Sequence, residues 1–456
     1  MIRKTLLEVS QMIKIENDIA EFHELEINGI SIDSRKIGAG NLFVPFKGEH
    51  SDGHRFVEDA IKKGAAAAIW QKDVPNPPEH LPILIVENTL IALQELARSY
   101  RNQLDVRIVG ITGSNGKTTT KDITANLLSL KYKVQKTEGN YNNEIGLPLT
   151  ILGLDEDTQV AVLEMGMSSK GEIDFLTQLA QPEAAIITNI GESHLLDLGS
   201  REGIAEAKWE IVNGLKENGL LVYNGDEPLL EKHAENCLNH ISMKTFGRSG
   251  KNDWYPVAIE QSDTGSAFRI NASSIEFYLP VLGIHNVLNA IAAMTAAEHF
   301  GVSFEKMNDG FAGLKLTNMR TELTQGQKGE KIINDAYNAS PTSMHAAIEL
   351  ISNLPGYKRK ILILGDMLEL GPSEKDFHLK IGESIDPEKI SYVFTFGKLA
   401  EFIAKGALTR LPSERVFSFM DKQQLIETLK NYVDEETIVL VKASRGMRLE
   451  EIVKEL

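Results

Sequence analysis

From residue 106 onward the chain alternates short apolar runs with longer amphipathic stretches. Residues 107–112, 159–164, 184–189 and 219–224 are apolar runs of strand length, and the intervening stretches read as helices. Just after the first run, Ile123, Leu127 and Leu130 fall at i, i+4 and i+7, one face of a helix. This alternation predicts a mostly parallel sheet covered by helices, because parallel neighbours need a long crossover between them. An alanine-rich helical region over 283–300 closes the series, and 313–320 reads as a linker. A second series follows, with strands predicted at 331–335, 360–364, 392–396 and 437–442 in a doubly wound α/β pattern. Upstream, a strand-like 41–46 and a helix over 54–63 precede Pro75, Pro77 and Pro78, which mark a surface loop. A strand at 83–86 and a helix near 90–100 complete that module. The prediction is an α/β chain of three domains, over 1–100, 101–318 and 319–456.

Composition narrows the class. With 456 residues, the chain exceeds one ordinary core. A net charge of −16 without a basic cluster repels phosphate backbones, so nucleic acid is not an expected partner. No apolar stretch is long enough to span a bilayer and no leader-like segment follows Met1, so no membrane insertion and a cytoplasmic location are expected. The single cysteine, Cys237, excludes an intrachain disulfide, and its expected role is a small buried apolar group. No helical stripe persists as heptads, and a monomer is expected.

The first chemistry lies where the 107–112 run meets its helix, in Ile111-Thr-Gly-Ser-Asn-Gly-Lys-Thr-Thr-Thr120. Glycines let backbone N–H groups converge with a helix N-terminus on an anion, a lysine reaches the outer phosphates and a threonine hydroxyl can hold Mg²⁺. Thr112, Gly113, Ser114, Asn115, Gly116, Lys117, Thr118 and Thr119 are therefore candidate ATP contacts. The general pattern has glycine where this chain has Ile111. The remaining sequence resembles the narrower ATP loop of the Mur ligase family, which makes amide bonds in cell-wall precursors.

Polar residues at strand ends extend the resemblance. Glu164 closes a strand, His194 follows Thr188-Asn-Ile-Gly-Glu-Ser193, and Lys208 sits in Ala205-Glu-Ala-Lys-Trp-Glu210. Taken singly, each has an ordinary role open to it: a helix cap, a hydrogen-bonded loop histidine, a solvated lysine. Together they look like the family's central domain, in which the matching Glu, His and a carbamylated lysine organise two Mg²⁺ ions. The resemblance thus implies a catalytic set of Lys117, Glu164, His194 and Lys208, with Thr118, Glu164, His194 and carbamylated Lys208 as metal ligands. It likewise points to Asn142 and Asn143 in the polar turn 139–146 for substrate contact, and to Asn289 for the adenine. Arg320 and Asp335 match positions that embrace the γ-phosphate and ribose, and complete the site when a third domain closes over the second.

The resemblance spans nearly the whole chain, from Asp33-Ser-Arg35 to Lys442-Ala-Ser-Arg445. It implies a Mur ligase architecture: a small α/β domain binding a UDP precursor, a central phosphate-loop ATPase domain and a Rossmann-like C-terminal domain. Ser34, Arg35 and Lys47 are the implied precursor contacts. The stretches Asp335-Ala-Tyr-Asn-Ala-Ser-Pro-Thr-Ser-Met344 and Leu364-Gly-Asp-Met-Leu-Glu-Leu-Gly371 are similar to the member that joins D-alanyl-D-alanine to UDP-N-acetylmuramoyl-tripeptide. Tyr337 and Asn338 would line its dipeptide pocket. The sequence leaves open whether the tripeptide ends in lysine or diaminopimelate. A third-residue ligase and a folate-polyglutamylating enzyme are the alternatives within this chemistry, and a phosphate-loop switch or motor the alternative outside it.

Overall fold

The computed structural model describes residues 1–48, 52–237 and 241–456. Three sheets, wholly or mainly parallel, succeed one another along it. The first holds Ile30–Ser31, Leu42–Phe43, Ala67–Gln71 and Ile83–Val86 in sequential order, all parallel. Helix Thr89–Gln103 follows, and its buried Leu93, Leu96 and Tyr100 join the first sheet to one face of the second in a single core. The Tyr100 hydroxyl donates to the Leu154 carbonyl at 2.8 Å, and burial pushes its pKa up to about 12.

The central sheet is ordered Ser242–Phe246, Leu220–Asn224, Ala184–Ile187, Arg107–Thr112, Val160–Glu164, Val134–Lys136, with every pair parallel. Successive residues alternate between two cores: Ile108, Ala161 and Leu163 face the first sheet's helix, whereas Val109, Ile111 and Val162 face helices Lys117–Leu128 and Ile284–His299. The sequence crosses from one side of Arg107–Thr112 to the other between Val160–Glu164 and Ala184–Ile187. That reversal opens a crevice at the carboxyl ends of these three strands, where ligands of such sheets bind.

The third sheet is ordered Glu322–Gln325, Lys331–Asn334, Thr437–Lys442, Arg359–Gly365, Tyr392–Phe396, Val416–Phe419; only the first pair is antiparallel. It too feeds two cores, with Ile333, Leu362 and Leu440 on one side and Ile332, Ile363 and Val439 on the other. Among the described residues, no helix is long and apolar enough to cross a membrane.

Several elements depart from the pattern-based expectation. The strand-like 41–46 narrows to Leu42–Phe43, and the helix over 54–63 begins as a tight turn, Gly53–Phe56, before Val57–Lys62. A three-stranded antiparallel sheet of Pro256–Gln261, Ser266–Ile270 and Phe277–Leu279 was not expected. Its first strand buries no residue, and the buried apolar positions are confined to Phe268, Ile270, Phe277 and Leu279. Cys237 is half-buried rather than buried, resting against the rim of the first core.

Candidate active site

The phosphate loop depends on two glycines. Gly113 has φ 146°, and a Cβ there would lie 1.8 Å from Thr188 Oγ1; Gly116 has φ 81°, and its Cβ would lie 2.6 Å from Asn289 Oδ1. Only glycine fits these approaches, which hold the loop against the neighbouring strand end and the adjacent helix. Gly116 caps helix Lys117–Leu128, so the loop amides and the helix dipole face the crevice together. Around it, Thr188 Oγ1 donates to the Asn115 carbonyl at 2.6 Å and the Gly191 amide donates to Ser114 Oγ at 2.8 Å.

A cleft of about 550 Å³ extends from this loop between the central and third sheets. Its walls include Lys117, Thr118, Thr119, Asn142, Asn143, Glu164, His194, Asn289, Arg320, Asp335, Tyr337 and Asn338, so most expected site residues meet in one place. Lys117 Nζ donates to the Gly113 carbonyl at 2.8 Å. Burial lowers its pKa, Glu164 counteracts this, and Arg320 adds to the lowering. Glu164 is 3% exposed; Asn142 Nδ2 donates to its Oε1 at 2.8 Å, while Oε2 has no partner.

Arg320 arrives from the linker. Its Nη2 donates to Thr118 Oγ1 at 3.2 Å, its guanidinium lies 3.9 Å from the centre of the Tyr337 ring, and its Nε is buried without an acceptor. A buried donor beside the phosphate loop and a buried acceptor on Glu164 are costly unless an anion and a cation satisfy them. The site therefore suits a nucleotide polyphosphate with a divalent ion.

Lys208, on helix Arg201–Trp209, is 2% exposed, is not among the residues lining the cleft, and has no ion pair among the described residues. Its pKa falls well below the lysine range, through burial and then the Lys117 charge. Burial and the nearby Lys117 thus disfavour the charged ammonium at this position. His194 has φ 64°, and its Nδ1 lies 3.1 Å from Glu369 Oε2 of the third sheet's loop without hydrogen-bond alignment. Burial and the Lys117 charge lower its pKa, Glu369 opposes them, and Lys208 lowers it further.

Some expected residues are engaged otherwise. Asn143 Oδ1 accepts from the Gly146 amide at 2.9 Å, opening helix Gly146–Leu152. Asp335 pairs with buried Lys442 at 2.6 Å, and Lys442 also donates to the Asn338 carbonyl. Asn289 Nδ2 donates to Asn286 Oδ1 at 3.1 Å. Thr112 is fully buried behind the loop. Ser34, Arg35 and Lys47 lie outside this cleft: Arg35 is exposed and paired with Asp33 at 2.9 Å, and Lys47 is paired with Asp73 at 3.1 Å. A second cleft of about 400 Å³ is lined by Ser31, Asp33, Lys36, Asn41, Lys136 and Tyr141 among others; Ser34 and Arg35 lie between two of these in sequence, but neither they nor Lys47 line it.

Three consecutive segments match family models: residues 26–101 the Mur ligase family catalytic domain, 111–297 the Mur ligase middle domain, and 319–445 the Mur ligase glutamate ligase domain. The chain is 52% identical over 456 residues to the UDP-N-acetylmuramoyl-tripeptide–D-alanyl-D-alanine ligase of Bacillus subtilis (strain 168), covering 100% of this chain and 99% of that one. The chain belongs to the Mur ligase family. Among solved Mur ligases, MurF of Acinetobacter baumannii superposes with a TM-score of 0.89 at 29% identity, over 100% of this chain and 99% of that one. MurF of Thermotoga maritima, solved in complex with ADP, gives 0.83 at 31% identity over 94% and 96%.

Sequence reasoning missed two residues of this Mur ligase that join the central and third sheets. Glu192 accepts from the Thr342 amide at 3.2 Å and hydroxyl at 2.7 Å, and Glu369 meets His194. Both occur inside quoted motifs, but their importance rests on contacts across at least 150 residues, which no local pattern signals.

Proposed function

We infer that this Mur ligase uses ATP to join D-alanyl-D-alanine to UDP-N-acetylmuramoyl-tripeptide, giving the pentapeptide precursor of peptidoglycan. One observation carries the reading. A single cleft brings the phosphate loop and Glu164 against Arg320, Tyr337 and Asn338, in a chain 52% identical end to end to a ligase of that name.

The reaction activates a carboxylate. An oxygen of the tripeptide's terminal carboxylate attacks the γ-phosphorus, and the bond to the β–γ bridging oxygen breaks, leaving ADP and an acyl phosphate. The neutral dipeptide amine then attacks the acyl carbon; the carbon–oxygen bond to phosphate breaks, phosphate departs and the amine loses a proton. Lys117 and Arg320 absorb the charge growing on the transferred phosphoryl oxygens, and the phosphate-loop amides hold the others. Closure of the third sheet over the loop would exclude water from the hydrolysable acyl phosphate.

Thr118, Glu164, His194 and carbamylated Lys208 are assigned as holders of two Mg²⁺ ions, which would neutralise phosphate charge and polarise the acyl oxygen. The partnerless Glu164 Oε2 and the unpaired, buried Lys208 support that assignment. Among the described residues, no three His, Cys, Asp or Glu side chains gather as a metal site. On this reading the hydroxyl of Thr118, the lysine carbamate and phosphate oxygens would supply the remaining ligands.

Residues 1–100 are assigned to the UDP precursor, 101–318 to ATP and 319–456 to the dipeptide. The cleft beside Ser34 and Arg35 supports the first assignment. It suits the nucleotide end of the precursor, with Arg35, exposed and flanked in sequence by the lining residues Asp33 and Lys36, assigned to the pyrophosphate and Lys47 assigned nearby from the family resemblance. Asn289, against Gly116, is assigned to the adenine side and Asp335 to the ribose side. A monomer in the cytoplasm suits a site that one chain completes and substrates that are nucleotides.

The test is ADP release with Mg²⁺, ATP and UDP-N-acetylmuramoyl-tripeptide, with and without D-alanyl-D-alanine, with product masses recorded. ADP formation that depends on the dipeptide and yields the pentapeptide is expected. Release only with L-lysine, diaminopimelate or glutamate would reject the dipeptide as acceptor.

A further inference from the structure

One buried carboxylate in the central sheet's helix layer touches none of the reacting groups. Asp122 follows Thr118 by one turn on the phosphate-loop helix and is 1% exposed. Its Oδ2 accepts from both the amide and the hydroxyl of Thr317, each at 2.9 Å. Its Oδ1 faces Lys136 Nζ at 2.6 Å and Lys121 Nζ at 3.3 Å, and Lys121 also donates to the Thr137 carbonyl. Burying a carboxylate costs stability unless paired, and two lysines offset that cost here. An apolar contact would hold the linker against the helix without fixing its position along the chain. Two bonds from one residue to one oxygen fix its register.

The other end of the linker is tied to the third sheet. The Met319 amide donates to Glu322 Oε2 at 3.0 Å and the Thr321 amide to Asp335 Oδ1 at 3.2 Å. Arg320, between them, reaches Thr118. Met319 and Thr321, on either side of it, have φ 61° and 55°. The left-handed region is costly for non-glycine residues and most of all for a β-branched one, so the surroundings must hold this conformation. The segment 317–321 is thus clamped at both ends and strained in the middle, and the strained residues flank the arginine.

We propose that Asp122 is a positioning residue that pins Thr317 to the phosphate-loop helix, making 317–321 the pivot of the third sheet and setting Arg320 over Thr118. The proposal rests on the reading that Arg320 serves the transferred phosphoryl group. Its logic is mechanical: the helix that carries Lys117 and Thr118 also carries the anchor of the linker that brings Arg320. Movement of the third sheet about the pinned point then changes where Arg320 sits without disturbing the loop.

Thr317→Val removes one of the two bonds and leaves Asp122 with its lysines; Thr317→Ser restores the hydroxyl. In the full chain, Thr317→Val should lower kcat by roughly tenfold to a hundredfold with KM for ATP within about threefold, as expected when a group acting in the transition state is displaced. The melting temperature should hold within a few degrees, and tryptic cleavage at exposed Lys315 in the linker should quicken. Thr317→Ser should recover both kcat and protection. Unchanged kcat and cleavage in Thr317→Val would overturn the proposal, as would a loss that Thr317→Ser shares together with a fallen melting temperature. The cleavage assay needs no turnover. A wild-type chain that fails to ligate the dipeptide therefore rejects the functional reading, while the proteolysis series still judges the pin.

Discussion

Asn142 donates to one oxygen of Glu164 at 2.8 Å and leaves the other buried and unpaired, in a residue that lines the cleft together with Thr118 and Lys117. If Glu164 holds a cation as proposed, the amide leaves Oε2 as the oxygen to do so. Glu164→Gln keeps the acceptor for Asn142 and removes the charge, so folding should be unaffected. The expected outcome is a rise in the Mg²⁺ concentration required for half-maximal ADP formation and a fall in kcat of roughly a hundredfold. Equal Mg²⁺ dependence in the two proteins would show that Glu164 holds no metal.

Gly113 makes a sharper, structural prediction. A Cβ 1.8 Å from Thr188 Oγ1 cannot be accommodated without moving the strand end, and φ 146° is itself foreign to alanine. Gly113→Ala should therefore cost about 1–3 kcal/mol in unfolding free energy and abolish nucleotide binding. Thermal melts with and without ADP check this. Retained ADP stabilisation in the variant would mean that the loop tolerates displacement.

Much of this site was legible because its parts are local. The phosphate loop is one continuous strand, turn and helix, and Glu164 closes a strand whose apolar run is unmistakable. His194, Lys208 and Arg320 became legible only through the family resemblance, since a histidine in a loop and a lysine in a helix are unremarkable alone. Nothing in the local pattern signals that Lys208 is buried and unpaired, because its helix reads as amphipathic with Lys208 polar. Glu192, Glu369 and the Asp122–Thr317 pair were invisible for another reason: each acquires its role from a residue far along the chain. The edge strands at Ser242–Phe246, Glu322–Gln325 and Val416–Phe419 escaped because an edge exposes half its side chains and blunts the apolar signal.

Asp366 gives a pH prediction away from the reacting groups. It is 7% exposed and accepts from the Ala400 amide at 2.7 Å, and burial raises its pKa above the usual 3.8. Between 3.8 and the raised value the folded state binds more protons than the unfolded one. Stability contributed by this group therefore falls as pH rises through that window and stays lower above it. Asp366→Asn retains an acceptor for Ala400 and carries no charge. It should raise the denaturation midpoint at neutral pH, with the gain vanishing as pH drops below about 3.8. A gain that persists in acid would assign the effect to packing instead.

Lys208 offers a test that separates a structural lysine from a modified one. Its burial and proximity to Lys117 favour the neutral amine, and a neutral amine with no carboxylate partner gains most from becoming a carbamate. Lys208→Ala should then lose activity by roughly a hundredfold or more, because the anionic oxygens are lost rather than a positive charge. Acetate or formate, small enough to enter the space vacated, should restore part of it in a saturable way, whereas methylamine should not. The same variant should melt several degrees below wild type, because truncating a fully buried side chain leaves a cavity. Full activity in Lys208→Ala would rule out the carbamate, and rescue by amine in preference to acid would return Lys208 to an ordinary cationic role. Mass measurement under native conditions, with and without CO₂ removal, gives an independent reading: a loss of the mass of CO₂ is expected in wild type and none in the variant.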